Sequence, residues 1–253
     1  MTMSEGSGGT ATSPQAEMDF SQFGEVDAVP LPRLKRISGR RLAHSWRTIP
    51  HVTHHDDADI TDLEVRRKAI EASGGARVSV LAALMKASAM ALTTFPHFNA
   101  SLSDDQTTLI LKRYVHLGLA IETPRGLLVG VVRDCDSKPA AQIAEEAATL
   151  AQKARDKGLN LAEMSGGCFT ISSLGGIGGG AFSPIINAPE LAILGVGRAE
   201  ERARRGPAGD IDWRRCLPLS LSYDHRVIDG ADAARFVRFL GQTLGDGTFL
   251  ESL

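Results

Sequence analysis

One segment of the chain is apolar almost all the way round a helix, and this limits the folds open to it. Residues 78–96 read VSVLAALMKASAMALTTFP and end at a proline, which cannot continue a helix. A helix that is hydrophobic all round has to be buried on every side. With 43% hydrophobic residues among 253, the chain has enough apolar side chains to bury such a helix. We therefore predict a helix at the centre of a sizeable globular core.

Composition and charge exclude several classes of protein. A formal net charge of −2 gives no electrostatic basis for binding nucleic acid or an anionic membrane surface. The sequence contains neither a signal peptide nor a run of about 18 apolar residues, the length of a membrane span. Its three cysteines are widely spaced and form no CxxC pair, so neither disulfides nor a zinc site is indicated. We expect a cytoplasmic protein without nucleic-acid or membrane partners.

The N-terminal residues differ in composition from the rest. Residues 1–18 are small and polar without periodicity, so they cannot bury enough apolar area to offset the entropy lost on ordering. We expect a flexible tail over residues 1–18 and one domain over residues 19–253. Folded structure should begin between Phe20 and Leu34.

The domain alternates helix and strand patterns, which indicates a mixed α/β fold without internal repeats. Besides the buried helix, helices are predicted near residues 34–45, 61–74 (capped by Thr61), 137–158 (ending at Gly158) and from Asp229 or Gly230 onward. Strands are predicted at residues 53–57, in two or three runs within 107–133 joined by a TPRG hairpin turn, and in CFTISSL, ELAILGVG and CLPLSLSY. The RAEERARRG stretch, residues 198–206, is predicted to be a solvated basic loop.

A histidine stands between the last predicted strand and the last predicted helix. In SLSYDHRVIDGADAARF, residues 220–236, the strand ends at Tyr223 and His225 follows. Loops between a core strand and a helix are where rigid scaffolds present reactive groups. Imidazole, with an ordinary pKa of about 6.5, suits proton abstraction near neutral pH. The alternative is a solvated turn histidine beside Asp224 and Arg226.

Asp229 follows four residues later and has two compatible interpretations. Its carboxylate is placed to cap the last helix by accepting hydrogen bonds from the amides of the first turn. A carboxylate that fixes this turn also fixes the imidazole, and a misplacement of about 1 Å can cost on the order of a hundredfold in rate. Asp229 is therefore expected to be needed without handling a proton.

His225, Asp229 and Gly230 form an HxxxDG signature. On this signature the chain resembles the catalytic domains of dihydrolipoyl acyltransferases, the core components of 2-oxo acid dehydrogenase complexes, and the related chloramphenicol acetyltransferases. Residues 166–197, GGCFTISSLGGIGGGAFSPIINAPELAILGVG, resemble the family's glycine-rich strand and loop. Residues 19–39 and 49–64 resemble its N-terminal part, so the likeness covers roughly residues 19–245.

The resemblance implies a fold and a site. The fold is an α/β two-layer sandwich like that of chloramphenicol acetyltransferase, with a mixed sheet, helices on one face, and assembly into trimers. The site adds Ser172, whose hydroxyl would face the reacting carbonyl, while Ser173 should point to the opposite face of the strand. Ser173 and Gly230 are the candidate contacts to coenzyme A. In the trimer, His225 would face Ser172 of a neighbour.

The activity implied by the resemblance is transfer of an acetyl group between dihydrolipoamide and coenzyme A, in the core of a pyruvate dehydrogenase-type complex. An arginine, Arg40 or Arg41, would hold Asp229. Trimers of the family assemble further into cubic cores through the C-terminus, where Phe249, Leu250 and Leu253 are the candidate anchors. The partners would be a lipoyl domain and the dehydrogenase components.

Several alternatives stay open. The chain could have another acyl specificity, acetylate a small hydroxyl acceptor, or act as a core scaffold without catalysis. Residues 1–28 cannot hold the lipoyl and subunit-binding domains of full-length members. Either the chain is a fragment or the lipoyl group arrives on another chain.

A glycine-rich motif and a group of histidines could suggest a nucleotide site and a metal site, and we favour neither. GGIGGG is followed by no GK[ST], so its glycines are expected to let the chain turn tightly beside a long, narrow ligand. His51, His54 and His55 belong to a predicted strand and diverge to both of its faces, so no metal is expected.

Overall fold

The computed structural model describes residues 18–252. Residues 1–17, nearly all of the predicted flexible tail, and Leu253 lie outside this range. The chain divides into two units after Leu31. The first contains a 3-10 helix at Phe20–Gln22, where the Asp19 carboxylate accepts a hydrogen bond from the Ser21 N–H at 3.0 Å. The second begins at Pro32, within the range expected for the start of folded structure.

The second unit contains all the larger elements. Its helices are α1 (Arg33–Thr48), α2 (Thr61–Ala72), α3 (Val80–Thr94), α4 (Ala140–Asp156), α5 (Gly230–Gly245) and α6 (Gly247–Glu251). Its strands are β1 (His51–Asp59), β2 (Ala100–Leu102), β3 (Leu109–Leu111), β4 (Leu117–Thr123), β5 (Gly126–Val132), β6 (Phe169–Ser173), β7 (Ala192–Val196), β8 (Glu200–Arg205) and β9 (Ile211–Asp224). Within residues 18–252, no helix combines the length and apolarity needed to cross a bilayer.

The predicted buried helix is α3. Its side chains at Leu84, Met85 and Leu92 are almost inaccessible, and the Ser79 hydroxyl accepts a hydrogen bond from the Ala82 N–H at 3.1 Å. Helices α1, α2, α4 and α5 also stand where the periodicity predicts them. Gly158, with φ +83°, follows the end of α4 as expected.

The predicted role of Thr61 is wrong, although α2 begins there. Thr61 is the first helical residue, and its hydroxyl donates to the Asp59 carboxylate at 2.6 Å. The same oxygen accepts from the Arg215 N–H at 2.8 Å. The hydroxyl therefore links the end of β1 to β9 instead of capping the helix, because these two partners already use it.

The large sheet is mixed, as the expected fold requires. Its strand order is β1–β9–β7–β6–β4–β5, with β8 pairing with β9 beyond the end of β7. Strand β6 runs parallel to β7 and to β4, and the other neighbours are antiparallel. The TPRG segment forms the predicted hairpin, in which Thr123 pairs with Gly126. Strands β2 and β3 form a separate small sheet.

The two faces of the large sheet differ in what covers them. Phe169 and Ile171 of β6 belong to one core with residues of α3, α4 and α5, so these helices lie on one face, as predicted. Side chains alternate along a strand, so Ser172 belongs to the opposite face. Helix α1 reaches that side, since Lys35 lines a cavity together with Ser172.

The predicted basic loop at residues 198–206 is wrong, because most of it is strand β8. It pairs antiparallel with the start of β9, from Glu200 opposite Cys216 to Arg205 opposite Ile211. Arg202 forms an ion pair with Asp57 of β1, which supports this ribbon from the sheet. The side chains of β8 are nearly all charged and exposed on both of its faces, so the apolar alternation typical of a strand is missing.

The predicted role of the C-terminus as an assembly anchor is wrong for two of its three residues. Phe249 and Leu250 of α6 are only 5% and 8% exposed, and both belong to the same core as α5. A side chain buried within its own chain cannot also anchor a neighbour.

Candidate active site

The turn that presents His225 is held by its backbone. The His225 N–H donates to the Pro50 carbonyl at 3.1 Å, just before β1 begins. On the other side, the Asp224 carboxylate accepts from the Arg226 N–H at 3.0 Å and from its Nε at 2.9 Å. The His225 side chain is exposed and packs beside the Tyr223 ring, with 5.7 Å between the centroids. The imidazole therefore stands on a fixed backbone at an accessible surface.

Asp224 and Arg226 take part in this site, although the sequence alone assigns them no role. The Asp224 side chain is 1% exposed, and its Oδ2 lies 2.5 Å from the Arg226 guanidinium. The hydrogen bonds that Arg226 donates to this carboxylate raise the pKa of Arg226 above its ordinary value. Arg226 also donates to the Gln106 side chain at 3.1 Å, in the loop between β2 and β3. The role of Asp224 follows from its burial. The charged residues beside it in the sequence do not reveal that burial.

The predicted side-chain cap of Asp229 is wrong. Asp229 stands at the N-cap of α5, but its carboxylate accepts no hydrogen bond from the amides of that turn. It lies close enough to raise the pKa of the Tyr223 hydroxyl, an effect second to that of Tyr223's burial. That hydroxyl would be 3.6 Å from a Cβ at Gly230. The carboxylate therefore lies near Tyr223 and makes no hydrogen bond to the helix amides.

Arg40 and Arg41 do not hold Asp229 within one chain. Both line a cavity of about 330 Å³ with Ile186 and Asn187, on the side of α1. Among residues 18–252, the ion pairs of the structure join neither arginine to Asp229. The structure of one chain therefore does not show which of the two arginines holds Asp229.

Ser172 opens onto a different cavity. It is half-buried at the end of β6 and lines a space of about 620 Å³ with Lys35, Glu122 and Leu127. Ile177 of the glycine-rich loop forms another wall and is 72% exposed. Ser173 borders this space and also a second cavity of about 320 Å³, on the α3 side of the sheet. A cavity that combines apolar walls with one cation, one carboxylate and a hydroxyl suits a long, mainly apolar ligand with polar groups.

The glycine-rich loop packs its backbone against the end of β7. The Arg198 N–H donates to the Gly179 carbonyl at 2.9 Å, and Gly179 has a left-handed φ of +85°. At Gly195 a Cβ would lie 2.9 Å from the Phe182 ring, so only glycine lets this ring rest on β7. The glycines make tight turns beside the Ser172 cavity, as the sequence suggests.

The structure groups the predicted residues at two separate places. His225, Asp229 and Gly230 meet at the end of β9, whereas Ser172 and Ser173 meet at the end of β6. Ser172 is in register with Gly195, and Gly195 with Ser220, five residues before His225. Two strand spacings and five residue steps separate Ser172 from His225 by roughly 20 Å. One chain therefore does not bring the imidazole to the hydroxyl.

The three histidines of β1 do not converge. His51 and His55 lie on one face of the strand and His54 on the other, as predicted. The His55 Nδ1 is 2.9 Å from the Ser220 hydroxyl. Both ring nitrogens of His51 are bonded to backbone groups, Nδ1 to the Ile49 carbonyl at 2.8 Å and Nε2 to the Ile186 N–H at 3.0 Å.

Glu190 is a buried acid that no sequence pattern singles out. It is 3% exposed, and its Oε1 accepts from the Thr170 hydroxyl at 2.8 Å and from the Asn187 amide at 3.1 Å. Its Oε2 is buried and has no hydrogen-bond partner among the described residues. Burial raises the pKa of Glu190 to about 7, against the opposing effect of these hydrogen bonds.

Comparison with known proteins places these features in a family context. The model of the family described as 2-oxoacid dehydrogenases acyltransferase (catalytic domain) matches residues 23–250. The chain is 51% identical over 245 residues to the dihydrolipoyllysine-residue acetyltransferase component of the pyruvate dehydrogenase complex of Pseudomonas aeruginosa. This match covers 94% of the chain but only 44% of the relative, so the chain spans less than half of that protein's length.

Solved structures share the fold. One is the Azotobacter vinelandii dihydrolipoamide acetyltransferase, studied for a serine, a histidine and an asparagine in its catalytic mechanism, the last two four positions apart. Another is the cubic core of the pyruvate dehydrogenase multienzyme complex. Each has a TM-score of 0.89 at 49% identity and covers 94% of this chain and 99% of its own. A chloramphenicol acetyltransferase, at 15% identity, shares the fold with a TM-score of 0.54, covering 83% of this chain and 94% of its own.

Proposed function

Because this chain belongs to the family of 2-oxoacid dehydrogenase acyltransferase catalytic domains, we propose that it transfers an acetyl group between dihydrolipoamide and coenzyme A. Acetyl is the group named by the relatives that share about half of its sequence. The lipoyl group would be supplied by a domain outside the described residues. We also propose a cytoplasmic location, which three unpaired cysteines favour.

Both substrates are thiols, so the reaction needs a base. A free thiol with a pKa of about 8.5 is only a few per cent thiolate at pH 7. In the proposed reaction, His225 takes the proton from the incoming thiol and the resulting thiolate attacks the thioester carbonyl. The tetrahedral intermediate carries an oxyanion, which then collapses and expels the second sulfur. That sulfur takes the proton back from the imidazolium, so transfer is direct and needs no acyl-enzyme.

Ser172 of a neighbouring copy is proposed to stabilise the oxyanion by donating its hydroxyl hydrogen. A donor preorganised for an oxyanion contributes roughly 2.7–4 kcal/mol to transition-state stabilisation. Asp229 is proposed to be needed at the site without handling a proton. A relative studied for its mechanism has a histidine and an asparagine at the same four-residue spacing, which supports a role for Asp229 that needs no negative charge.

The observation that carries the proposal is the separation of His225 from Ser172. Each lies at an accessible surface of its own chain, roughly 20 Å from the other, as strand spacing and register require. A site completed between copies needs this arrangement, in which each copy presents its base to one neighbour and its hydroxyl to another. A head-to-tail contact of this kind closes into a ring when the rotation between copies allows it, and the proposed ring is a homotrimer.

Larger assembly is proposed from the relatives and not from the C-terminus. A neighbour at 49% identity forms the cubic core of a pyruvate dehydrogenase multienzyme complex. We propose a similar cubic core for this chain, with a lipoyl domain and dehydrogenase components as its partners. Since Phe249 and Leu250 are buried within the chain, they are not proposed as the contacts between trimers.

An acyl-transfer assay with a matched variant tests the proposed function. Purified protein is mixed with acetyl-CoA and free dihydrolipoamide, and the acetyl thioester formed is measured. We expect turnover by the native chain, lowered about 100-fold to 10,000-fold in His225→Ala with unchanged assembly. Activity within tenfold of native in that variant would remove His225 as the base.

The choice of acceptor separates the proposal from its alternatives. Chloramphenicol and other small alcohols replace dihydrolipoamide in a parallel assay, and succinyl-CoA replaces acetyl-CoA in another. Preferred acetylation of the alcohol, or a preferred succinyl donor, would contradict the proposed substrate pair. Absence of transfer with every pair would support a scaffold without catalysis.

A further inference from the structure

We propose that His51 is a positioning residue for His225, acting as a neutral imidazole that carries its proton on Nδ1. This inference rests on the function proposed above, because it concerns how the base is presented. His51 touches neither substrate in the proposed reaction. Its effect passes through the backbone of the corner between α1 and β1.

The hydrogen-bond partners of His51 define its tautomer. Its Nδ1 lies 2.8 Å from the Ile49 carbonyl oxygen, which can only accept a hydrogen bond. Its Nε2 lies 3.0 Å from the Ile186 N–H, which can only donate. Nδ1 therefore carries the hydrogen and Nε2 keeps its lone pair. A ring with its proton on Nε2, or on both nitrogens, would oppose two donors at Ile186.

The corner fixed by these bonds also holds the proposed base. Pro50, between Ile49 and His51, accepts the His225 N–H on its carbonyl at 3.1 Å. In the sheet, His51 is in register with Asp224, the residue before His225. Any shift of the corner therefore moves the end of β9 and the imidazole that follows it.

The surroundings of His51 explain why its ring has to form hydrogen bonds with both Ile49 and Ile186. Ile49 and Ile186 pack together with Ile193 in a small buried cluster. The Trp46 ring lies against the His51 ring, with 5.4 Å between centroids. A backbone donor left unsatisfied among such side chains destabilises the fold. Without the imidazole, the Ile186 segment loses its bond to the corner.

A displaced corner is expected to lower turnover more than it weakens substrate binding. A catalytic group misplaced by about 1 Å can lose on the order of a hundredfold in rate. The Ser172 cavity, where substrate contacts are proposed, is lined by Lys35, Glu122 and Leu127, which lie on α1, β4 and β5. A role in folding alone would instead change stability and leave the turnover of the folded fraction unchanged.

Three substitutions at His51 separate its two hydrogen bonds. His51→Phe keeps a ring beside Trp46 but removes both bonds. His51→Gln places an acceptor near the position of Nε2, and His51→Asn places a donor near that of Nδ1. We expect kcat to fall about 10-fold to 100-fold in His51→Phe and His51→Asn, with KM within about threefold. His51→Gln should recover most of this loss, because it can accept from the Ile186 N–H.

His54→Phe is the matched control. His54 belongs to the same strand and faces the other side of the sheet, and its ring makes no hydrogen bond to another described residue. This control should keep kcat within about twofold, provided that its mass in solution is unchanged. Native-like kcat in His51→Phe, or equal kcat in His51→Gln and His51→Phe, would overturn the positioning role.

The tautomer is tested without any activity. Protein labelled with nitrogen-15 in its histidines gives ring-nitrogen signals, assigned by loss of one set in His51→Gln. We expect a protonated Nδ1 and an unprotonated Nε2 at neutral pH. The opposite tautomer would overturn the inference even if the chain is an active acetyltransferase. A chain inactive with every acyl donor and acceptor, but with this tautomer, would instead overturn the proposed function and with it the catalytic purpose of His51.

Discussion

Ser172 and Ser173 are adjacent hydroxyls with different surroundings. Ser172 lies on the face of the sheet opposite the core formed by Ile171, whereas Ser173 also borders the cavity on the α3 side. We expect Ser172→Ala to lower kcat about 100-fold to 1,000-fold, because the oxyanion loses its donor. Ser173→Ala is the matched control and should change kcat only a few-fold. Equal losses in steady-state kinetics would contradict the assignment of the hydroxyl.

Glu190 makes stability depend on pH. Its pKa is about 7 in the folded chain, against an ordinary value of 4.5, because burial disfavours the carboxylate. Below about pH 4.5 both states keep the proton, and the stability contributed by the neutral carboxyl is fully present. Between that pH and about 7 the unfolded chain loses its proton first, so this contribution is lost as the pH rises.

Glu190→Gln should remove this pH dependence. The amide stays neutral and its oxygen can still accept from the Thr170 hydroxyl. We expect the free energy of unfolding of the variant, relative to that of the native chain, to increase by up to roughly 3 kcal/mol as the pH rises from 4.5 to 7. Urea denaturation at several pH values measures the difference. Parallel curves for the two proteins across this range would show that Glu190 is ionised in the folded state.

Among elements, the glycine-rich loop depends on one close contact. A methyl group at Gly195 would lie 2.9 Å from the Phe182 ring and force it off β7. We expect Gly195→Ala to cost about 1–3 kcal/mol in urea unfolding and to lower kcat/KM, because Ile177 of the same loop lines the Ser172 cavity.

Gly180→Ala is the control for the same loop, because a Cβ there meets no atom within 4 Å. Its stability should stay within about 0.5 kcal/mol of the native chain. Replacing Phe182 by leucine in the Gly195→Ala background should restore part of the lost stability, since the smaller side chain can withdraw. Additive losses in the double variant would mean that the contact with Phe182 is not the cause.

Elements with a strong local pattern are predictable, and those defined by tertiary contacts are not. Helix α3 is recognisable because its apolar side chains surround the helix. Strand β8 is missed because its side chains are nearly all charged, so no apolar alternation is visible. Asp229 has the right position and residue type for a cap, but its side chain makes no hydrogen bond to the helix amides, which residue type and position do not reveal.

At the scale of the whole molecule, mixing two inactive variants tests the shared site. Chains carrying His225→Ala and chains carrying Ser172→Ala are co-expressed in equal amounts and purified as mixed assemblies. A site between copies is active where an intact histidine meets an intact serine, which applies to roughly a quarter of the sites in a random ring. We expect about that fraction of native turnover, and a mass in light scattering that is a multiple of three chains.

A mixture as inactive as either variant alone, in assemblies shown to contain both chains, would contradict a shared site. A stable monomer in light scattering would contradict it as well.

The family, the mixed α/β fold and the candidate residues can be predicted from the sequence, but the distance between Ser172 and His225 cannot. That distance depends on β7 lying between β6 and β9, and strand order is not a local property of a sequence.

The placement of these two side chains at opposite ends of the sheet has a consequence for biosynthesis. If the site is shared as proposed, a chain newly released from the ribosome carries half of two reaction centres and the whole of none. It would encounter acetyl-CoA without consuming it, because the hydroxyl that completes its site would be on a molecule it has yet to meet. Assembly would then act as the maturation step of the enzyme, and the first ring to close would be the first molecule able to turn over.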